Sequence, residues 1–267
     1  MSEDRITEKQ ICAINEDTKQ VKKEAFLLAS PFPHIVVDNF LKPDIVEKIY
    51  DEFPSHNQDF WYEYNNPIEK KLACNNFDKM PNSIKSILKL LNTQEYLTLF
   101  SELTGIEDLI ADEGLHGGGM HCTKQGGKLD MHIDYSIHPL LDLERRLNLI
   151  IYLNKDWKEE YGGELQLWER DMSSCAKKIF PIFNRAVIFA TDDSSYHGHP
   201  DPITCPDNIA RKSLALYYLT KPRDNSTKRY KALFVARPGD EYNEELDKLR
   251  KLRSEVSSAS DVYRTKI

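Results

Sequence analysis

The sequence predicts a mainly-β domain, an antiparallel sandwich or barrel, with helices ahead of it and one helix behind. Three observations predict it. Short apolar runs rich in β-branched and aromatic residues follow one another through the second half of the chain, separated by turn residues. No helical pattern interrupts them, which argues against alternating strand–helix units and for antiparallel pairing. Before and after this block, apolar residues recur at helical spacing instead. The 267 residues, 40% hydrophobic and 30% charged, are enough for one large domain with a substantial core.

Taken in order, residues 1–30 are polar and charged up to AFLLAS and read as a helical N-terminal arm. In PFPHIVVDNF, Ile35, Val36 and Val37 make a short strand that turns at Asp38-Asn39. Pro43 suits the first turn of a helix, where its missing N–H costs nothing, and Val46, Ile49, Tyr50 and Phe53 form its apolar face before Pro54. Residues 57–81 are rich in Asn, aromatics and charge without clean periodicity, and read as a long loop or flap. Two helices follow. Ile84, Ile87, Leu88 and Leu91 face the core from the first. Asn92 with Glu95 resembles a capping box for the second, which carries Leu99, Phe100 and Leu103 and ends at Gly105. The strand block comprises 147–154, 163–168, 186–191 and 213–220, and Lys221-Pro222 closes it. The resulting division is an arm (1–30), a domain (31–222) and an extension (223–267). In the extension, PGDEYNEELDKLRKLRSEV forms a charged helix with Leu246, Leu249 and Val256 on one side.

Composition excludes several classes. No apolar run approaches the roughly 20 residues of a spanning helix, and MSEDRITEKQ lacks the apolar core of a secretory leader. Five scattered cysteines (Cys12, Cys74, Cys122, Cys175, Cys205), an odd number with no C-x-x-C pair, point to free thiols in a reducing, cytoplasmic setting. A formal net charge of −7 speaks against a nucleic-acid backbone as partner. His116-Gly117-Gly118-Gly119 reads like an esterase oxyanion loop, but no G-x-S-x-G elbow accompanies it; the run reads as a flexible entry into a strand.

Among eight histidines, the informative group is His132-Ile133-Asp134 with a later histidine near the end of the strand block. An imidazole and a carboxylate two residues apart on an extended segment point to one side, and a distant strand can add a second imidazole. Two histidines and one carboxylate with open positions suit non-haem Fe(II). By itself H-x-D is weak, and His199-Pro200-Asp201 matches it too.

The surrounding sequence adds specificity. RRLNLIIYLNKDWKEEYGGELQLWE (145–169) resembles a segment of the 2-oxoglutarate- and Fe(II)-dependent prolyl hydroxylases, the hypoxia-sensing ones included. MHID precedes it at the family's spacing, SYHGHP (195–200) resembles the distal-histidine motif, and RKSLALYY (211–218) resembles the cosubstrate strand. FPHIVVDNFL and LFVARPGDE extend the resemblance over roughly residues 33–240. It implies a double-stranded β-helix, a jelly-roll or cupin-like barrel with N-terminal helices packed against one sheet.

The same resemblance implies that His132, Asp134 and His197 bind iron, with His199 as the rival for the third place. Arg211 would hold the distal carboxylate of 2-oxoglutarate, for which a planar guanidinium is apt, and Tyr152 would donate its hydroxyl to that carboxylate. Neighbouring Lys212 should face away. At Cys122 the hypoxia-sensing enzymes place a tyrosine that touches the cosubstrate, so Cys122 borders that pocket by alignment, with His121 and Thr123 as alternative contacts. The implied activity is hydroxylation of a C–H bond with succinate and CO2 as co-products. Its cofactors would be Fe(II) and 2-oxoglutarate, with L-ascorbate as an optional reductant. The substrate would be a prolyl residue in a protein or peptide; a free amino acid or small metabolite is the alternative. The alternative of another class is an inactive binding module, against which the intact metal and cosubstrate positions argue.

Overall fold

In a computed structural model that describes residues 12–14 and 16–255, five helices and thirteen strands build the chain. The first half holds α1 (Glu16–Leu27), β1 (His34–Val37), α2 (Pro43–Glu52), β2 (Tyr62–Asn65), β3 (Glu69–Cys74), α3 (Asn82–Leu91) and α4 (Gln94–Thr104). The second holds β4 (Ile110–Ala111), β5 (Gly119–Thr123), β6 (Lys128–Ile133), β7 (Glu144–Tyr152), β8 (Leu165–Trp168), β9 (Cys175–Ile179), β10 (Ala186–Ala190), β11 (His197–His199), β12 (Arg211–Thr220), β13 (Leu233–Phe234) and α5 (Glu244–Glu255). Val256, assigned to the last helix from sequence, and residues 1–11 of the arm lie outside the described residues.

The strands run in the order β1-β10-β7-β12-β5-β3-β6-β11-β8-β9, all pairs antiparallel, with β4 on β12, β2 on β3 and β13 on β6. β3 pairs with β5 at one end and β6 at the other, so it turns the corner between two facing sheets. This is the double-stranded β-helix. Alternation along β7 and β12 separates its two faces. Leu147, Leu149, Ile151, Leu214, Leu216 and Tyr218 point outward into a core shared with α2, α3 and α4. Asn148, Ile150, Arg211, Ser213, Ala215 and Tyr217 point into the barrel. The helices meet that outer core through Val46, Ile49, Ile84, Ile87, Leu88, Leu91, Phe100 and Leu103, all buried.

The structure corrects several sequence expectations. Residues 57–81 contain a β-hairpin, β2–β3, rather than a loop. Its alternation is hidden because β3 carries polar residues on its cavity face (Glu69, Lys71) and apolar ones (Leu72, Cys74) on its core face. The Asn92–Glu95 capping box does not form. Thr93 is the N-cap of α4, without a side-chain cap bond, because Asn92 is used as the C-cap of α3. The face of α4 centres on Tyr96, Leu97, Phe100 and Leu103, with Leu99 only half-buried. The sheet also continues past residue 222, since β13 pairs with β6 through Phe234 and His132. All five cysteines are free. No helix among the described residues is long and apolar enough to cross a membrane.

Candidate active site

The mouth of the barrel opens into a cavity of about 430 Å³. On one wall, β6 and β11 run antiparallel with a β-bulge. His197 pairs with His132 and His199 with Leu129, so three steps on β6 match two on β11. The extra residue turns both Leu129 and His132 inward, which plain alternation would forbid. Gly198 makes the close approach feasible. A Cβ there would lie 2.8 Å from the carbonyl oxygens of both Leu129 and Asp130. The glycine after His197 therefore has a steric reason, independent of any motif.

His132, Asp134 and His197 converge from these elements. One ligand atom from each lies within 4.8 Å of the others, and they are the one such group among the described residues. Nε2 of His132 is 3.7 Å from Asp134 Oδ1, and Nε2 of His197 is 3.4 Å from Oδ2. Nδ1 of His132 lies 2.9 Å from the Asp130 carbonyl, and Nδ1 of His197 lies 2.9 Å from that of Ser195. A carbonyl can only accept, so Nδ1 of each ring carries the proton and each Nε2 presents a lone pair toward the carboxylate. Burial, with His197 opposite, pulls the His132 imidazole down to about 3 and so keeps it neutral. Burial lowers His197 as well, against the pull of Asp134.

Asp134 is held by residues that the sequence reading did not single out. Arg145 Nη2 lies 2.9 Å from Oδ2, Asn148 Nδ2 donates to the same oxygen at 2.9 Å, and Arg145 Nε donates to Asn148 Oδ1 at 2.9 Å. The Arg145 guanidinium also sits 3.3 Å over the Tyr217 ring. Burial alone would raise the Asp134 carboxyl; the Arg145 guanidinium, with Asn148 donating, outweighs it and holds the group well below the usual carboxylate range. The available signal was Asn148, a polar residue at the same parity as Tyr152 inside the otherwise apolar run from Leu147 to Tyr152. The other contact missed is Phe234 of β13, whose ring centroid is 5.2 Å from that of His132.

Arg211 opens β12 and projects into the same cavity, 6% exposed. Its Nε donates to the Gly163 carbonyl at 2.7 Å, and its Nη2 to the Tyr152 hydroxyl at 3.2 Å. No carboxylate among the described residues lies within ion-pair distance of it. Burial lowers its pKa, partly offset by Tyr152. Lys212 faces the opposite way, its ammonium over Tyr50 and Phe53 at 5.0 and 5.4 Å. Cys122 does not border the cavity. It is fully buried on the core face of β5 beside Leu72, and the residues on either side, His121 and Thr123, face inward. The glycine run after His116 is also pinned rather than flexible, since the Gly117 carbonyl accepts from the Tyr217 hydroxyl at 2.9 Å.

Residues 118–219, which contain the triad, its anchors and Arg211, match the family model of the 2OG-Fe(II) oxygenase superfamily. Over this segment the chain is similar to that superfamily. The chain is 26% identical over 205 residues to the mouse prolyl 3-hydroxylase OGFOD1, a match covering 72% of this chain and 34% of that protein. It thus spans about a third of the length of that relative. Its fold is similar to a prolyl hydroxylase from Trichoplax adhaerens solved in complex with a hypoxia inducible factor oxygen degradation domain peptide fragment. That match has a TM-score of 0.55 and 20% identity, covering 77% of this chain and 91% of the other. It is also similar to a prolyl 4-hydroxylase of Phytophthora capsici, with a TM-score of 0.53 and 18% identity over 97% of this chain and 81% of the other.

Proposed function

We propose that this oxygenase hydroxylates a prolyl residue within a protein or peptide, using Fe(II) held by His132, Asp134 and His197 and 2-oxoglutarate held by Arg211. Fe(II) with 2-oxoglutarate and dioxygen supplies the oxidant for a C–H bond, leaving succinate and CO2. The observation that carries the reading is the pairing of two features across one cavity. One is a donor set of two neutral imidazoles, their tautomers set by backbone carbonyls, and an ionised carboxylate. That set leaves coordination positions open, as the chemistry needs. The other is a buried guanidinium with no carboxylate partner, which is costly unless an anion meets it.

The chain's own residues do the rest. Arg145 and Asn148 keep Asp134 ionised and oriented, Tyr152 positions the Arg211 fork, and the small side chains of Ser213 and Ala215 leave room for a C5 dicarboxylate. Half-exposed Tyr62 and Tyr230 at the rim offer flat apolar surface suited to a prolyl-containing segment. The mouse relative's name and the prolyl hydroxylase folds support this substrate class.

The test is incubation with Fe(II), 2-oxoglutarate and proline-containing peptides or free proline, scored by succinate release and by a mass gain of one oxygen. The expected result is coupled turnover on peptides. Arg211→Ala should abolish it, Arg211→Lys should recover part, because a point charge cannot reproduce a bidentate contact, and Lys212→Ala should change little. Turnover on free amino acids alone would overturn the peptide reading. A crippling Lys212→Ala with a mild Arg211→Ala would overturn the cosubstrate assignment.

A further inference from the structure

His199 shares the inward face of β11 with His197 and lines the cavity beside Arg211, and it is 5% exposed. It is not built like the two histidines of the triad. Each of those has its Nδ1 on a backbone carbonyl, which fixes Nε2 as a lone pair for a cation. Nδ1 of His199 is buried with no hydrogen-bond partner among the described residues. Either neutral tautomer leaves Nδ1 unpaired, and a buried bare lone pair there costs less than a buried bare N–H, which favours the proton on Nε2. The ring is therefore a hydrogen-bond donor at the atom with which it can meet a ligand. A donor does not coordinate a cation; it suits an anion.

The wall around His199 has the same character. Arg211 and Lys71 are the neighbouring cations, Glu69 lines the same cavity with its carboxylate paired to Lys71, Thr123 and His121 face inward from β5, and the thiol of Cys122 turns to the core. Tyr152, the one side chain bonded to the guanidinium, lies behind it rather than on the cavity.

We infer that His199 is a cosubstrate-binding residue, donating from Nε2 to a carboxylate of 2-oxoglutarate on the cavity side of Arg211. The inference rests on the oxygenase reading of the site. It gives the second histidine of the HGH segment a role that is distinct from metal ligation.

The test is calorimetric titration of 2-oxoglutarate into the Zn(II)-loaded full chain, compared with His199→Leu and His199→Gln, alongside Zn(II) titration of each metal-free protein. His199→Leu should weaken 2-oxoglutarate binding by about 10- to 100-fold, the usual loss for a hydrogen bond to a charged group. His199→Gln, whose amide can donate, should recover most of it. Zn(II) affinity should be unchanged in both. Unchanged 2-oxoglutarate affinity in His199→Leu would overturn the inference and leave the proposed function standing. Loss of Zn(II) affinity would overturn it by making His199 a ligand. Absence of 2-oxoglutarate binding to the unmodified chain would overturn both. If His199→Leu does not fold, the imidazole ¹⁵N spectrum of the unmodified chain decides. Addition of 2-oxoglutarate should move the His199 Nε2 resonance, and a resonance that stays in place would sink the assignment.

Discussion

Replacing Arg145 by Met should destabilise the metal-free protein far more than the metal-loaded one. The substitution removes the guanidinium 2.9 Å from Asp134 Oδ2 and the donor to Asn148, while a long apolar stem still packs near Tyr217. The Arg145 and Asp134 side chains are 3% and 11% exposed, so solvent screens their attraction little. Breaking a pair this deeply buried by removing one member costs about 3–5 kcal/mol, mostly the carboxylate left without compensation. A divalent cation between His132, Asp134 and His197 would supply that compensation, so the deficit should fall to about half or less when metal is bound. Urea unfolding of chelator-treated and Zn(II)-saturated protein, followed by circular dichroism near neutral pH, measures both numbers. Equal stability of the two metal-free proteins would refute the anchoring role. A deficit that metal leaves untouched would show that the loss comes from packing over Tyr217 rather than from the charge on Asp134.

Two further outcomes follow from the same geometry. Gly163→Ala should weaken 2-oxoglutarate binding by about tenfold, equivalent to about 1.4 kcal/mol. Gly163 has φ +72°, and a Cβ there would meet Arg211 Cδ and the Ile203 side chain at 3.1 Å, so the guanidinium must shift; a calorimetric affinity equal to that of the unmodified chain would count against it. Metal-free protein should also lose stability as pH falls below about 6.5, where an unfolded histidine takes up a proton. Folded His132, lowered to about 3, does not. The unfolded state then binds more protons, and this residue alone removes about 1.4 kcal/mol per pH unit, or about 2 kcal/mol by pH 5. Unfolding free energies at pH 7.5, 6.5 and 5.0 check this, and His132→Asn should flatten the slope; rising stability on acidification would contradict it.

The amino-acid sequence by itself determined those features in which local pattern and final environment agree. Ile84, Ile87, Leu88 and Leu91 lie against an apolar core, so helical spacing of apolar residues identified α3. The apolar runs of β7 and β12 were legible for the same reason, as was the placement of Arg211 and Lys212 on opposite faces. The H-x-D pattern and the distal histidine could be paired because strand alternation carries side chains to predictable sides.

Only the tertiary structure decided the rest, where a residue answers to a distant surface rather than to its neighbours in sequence. β2–β3 escaped because one face of β3 lines a polar cavity, which inverts the usual alternation. The resemblance already implied His197 rather than His199; the physical reason, backbone carbonyls and a bulge in β6, leaves no mark on side-chain pattern. Cys122 was placed by alignment spacing, but one residue of register on β5 turns the thiol to the core and leaves His121 and Thr123 inward. Arg145 became an anchor of Asp134 because the chain doubles back between them, with Ile137 bridging Glu144 and the Arg145 N–H on the Ser136 carbonyl, a turn that residues 134–145 do not announce by apolar pattern.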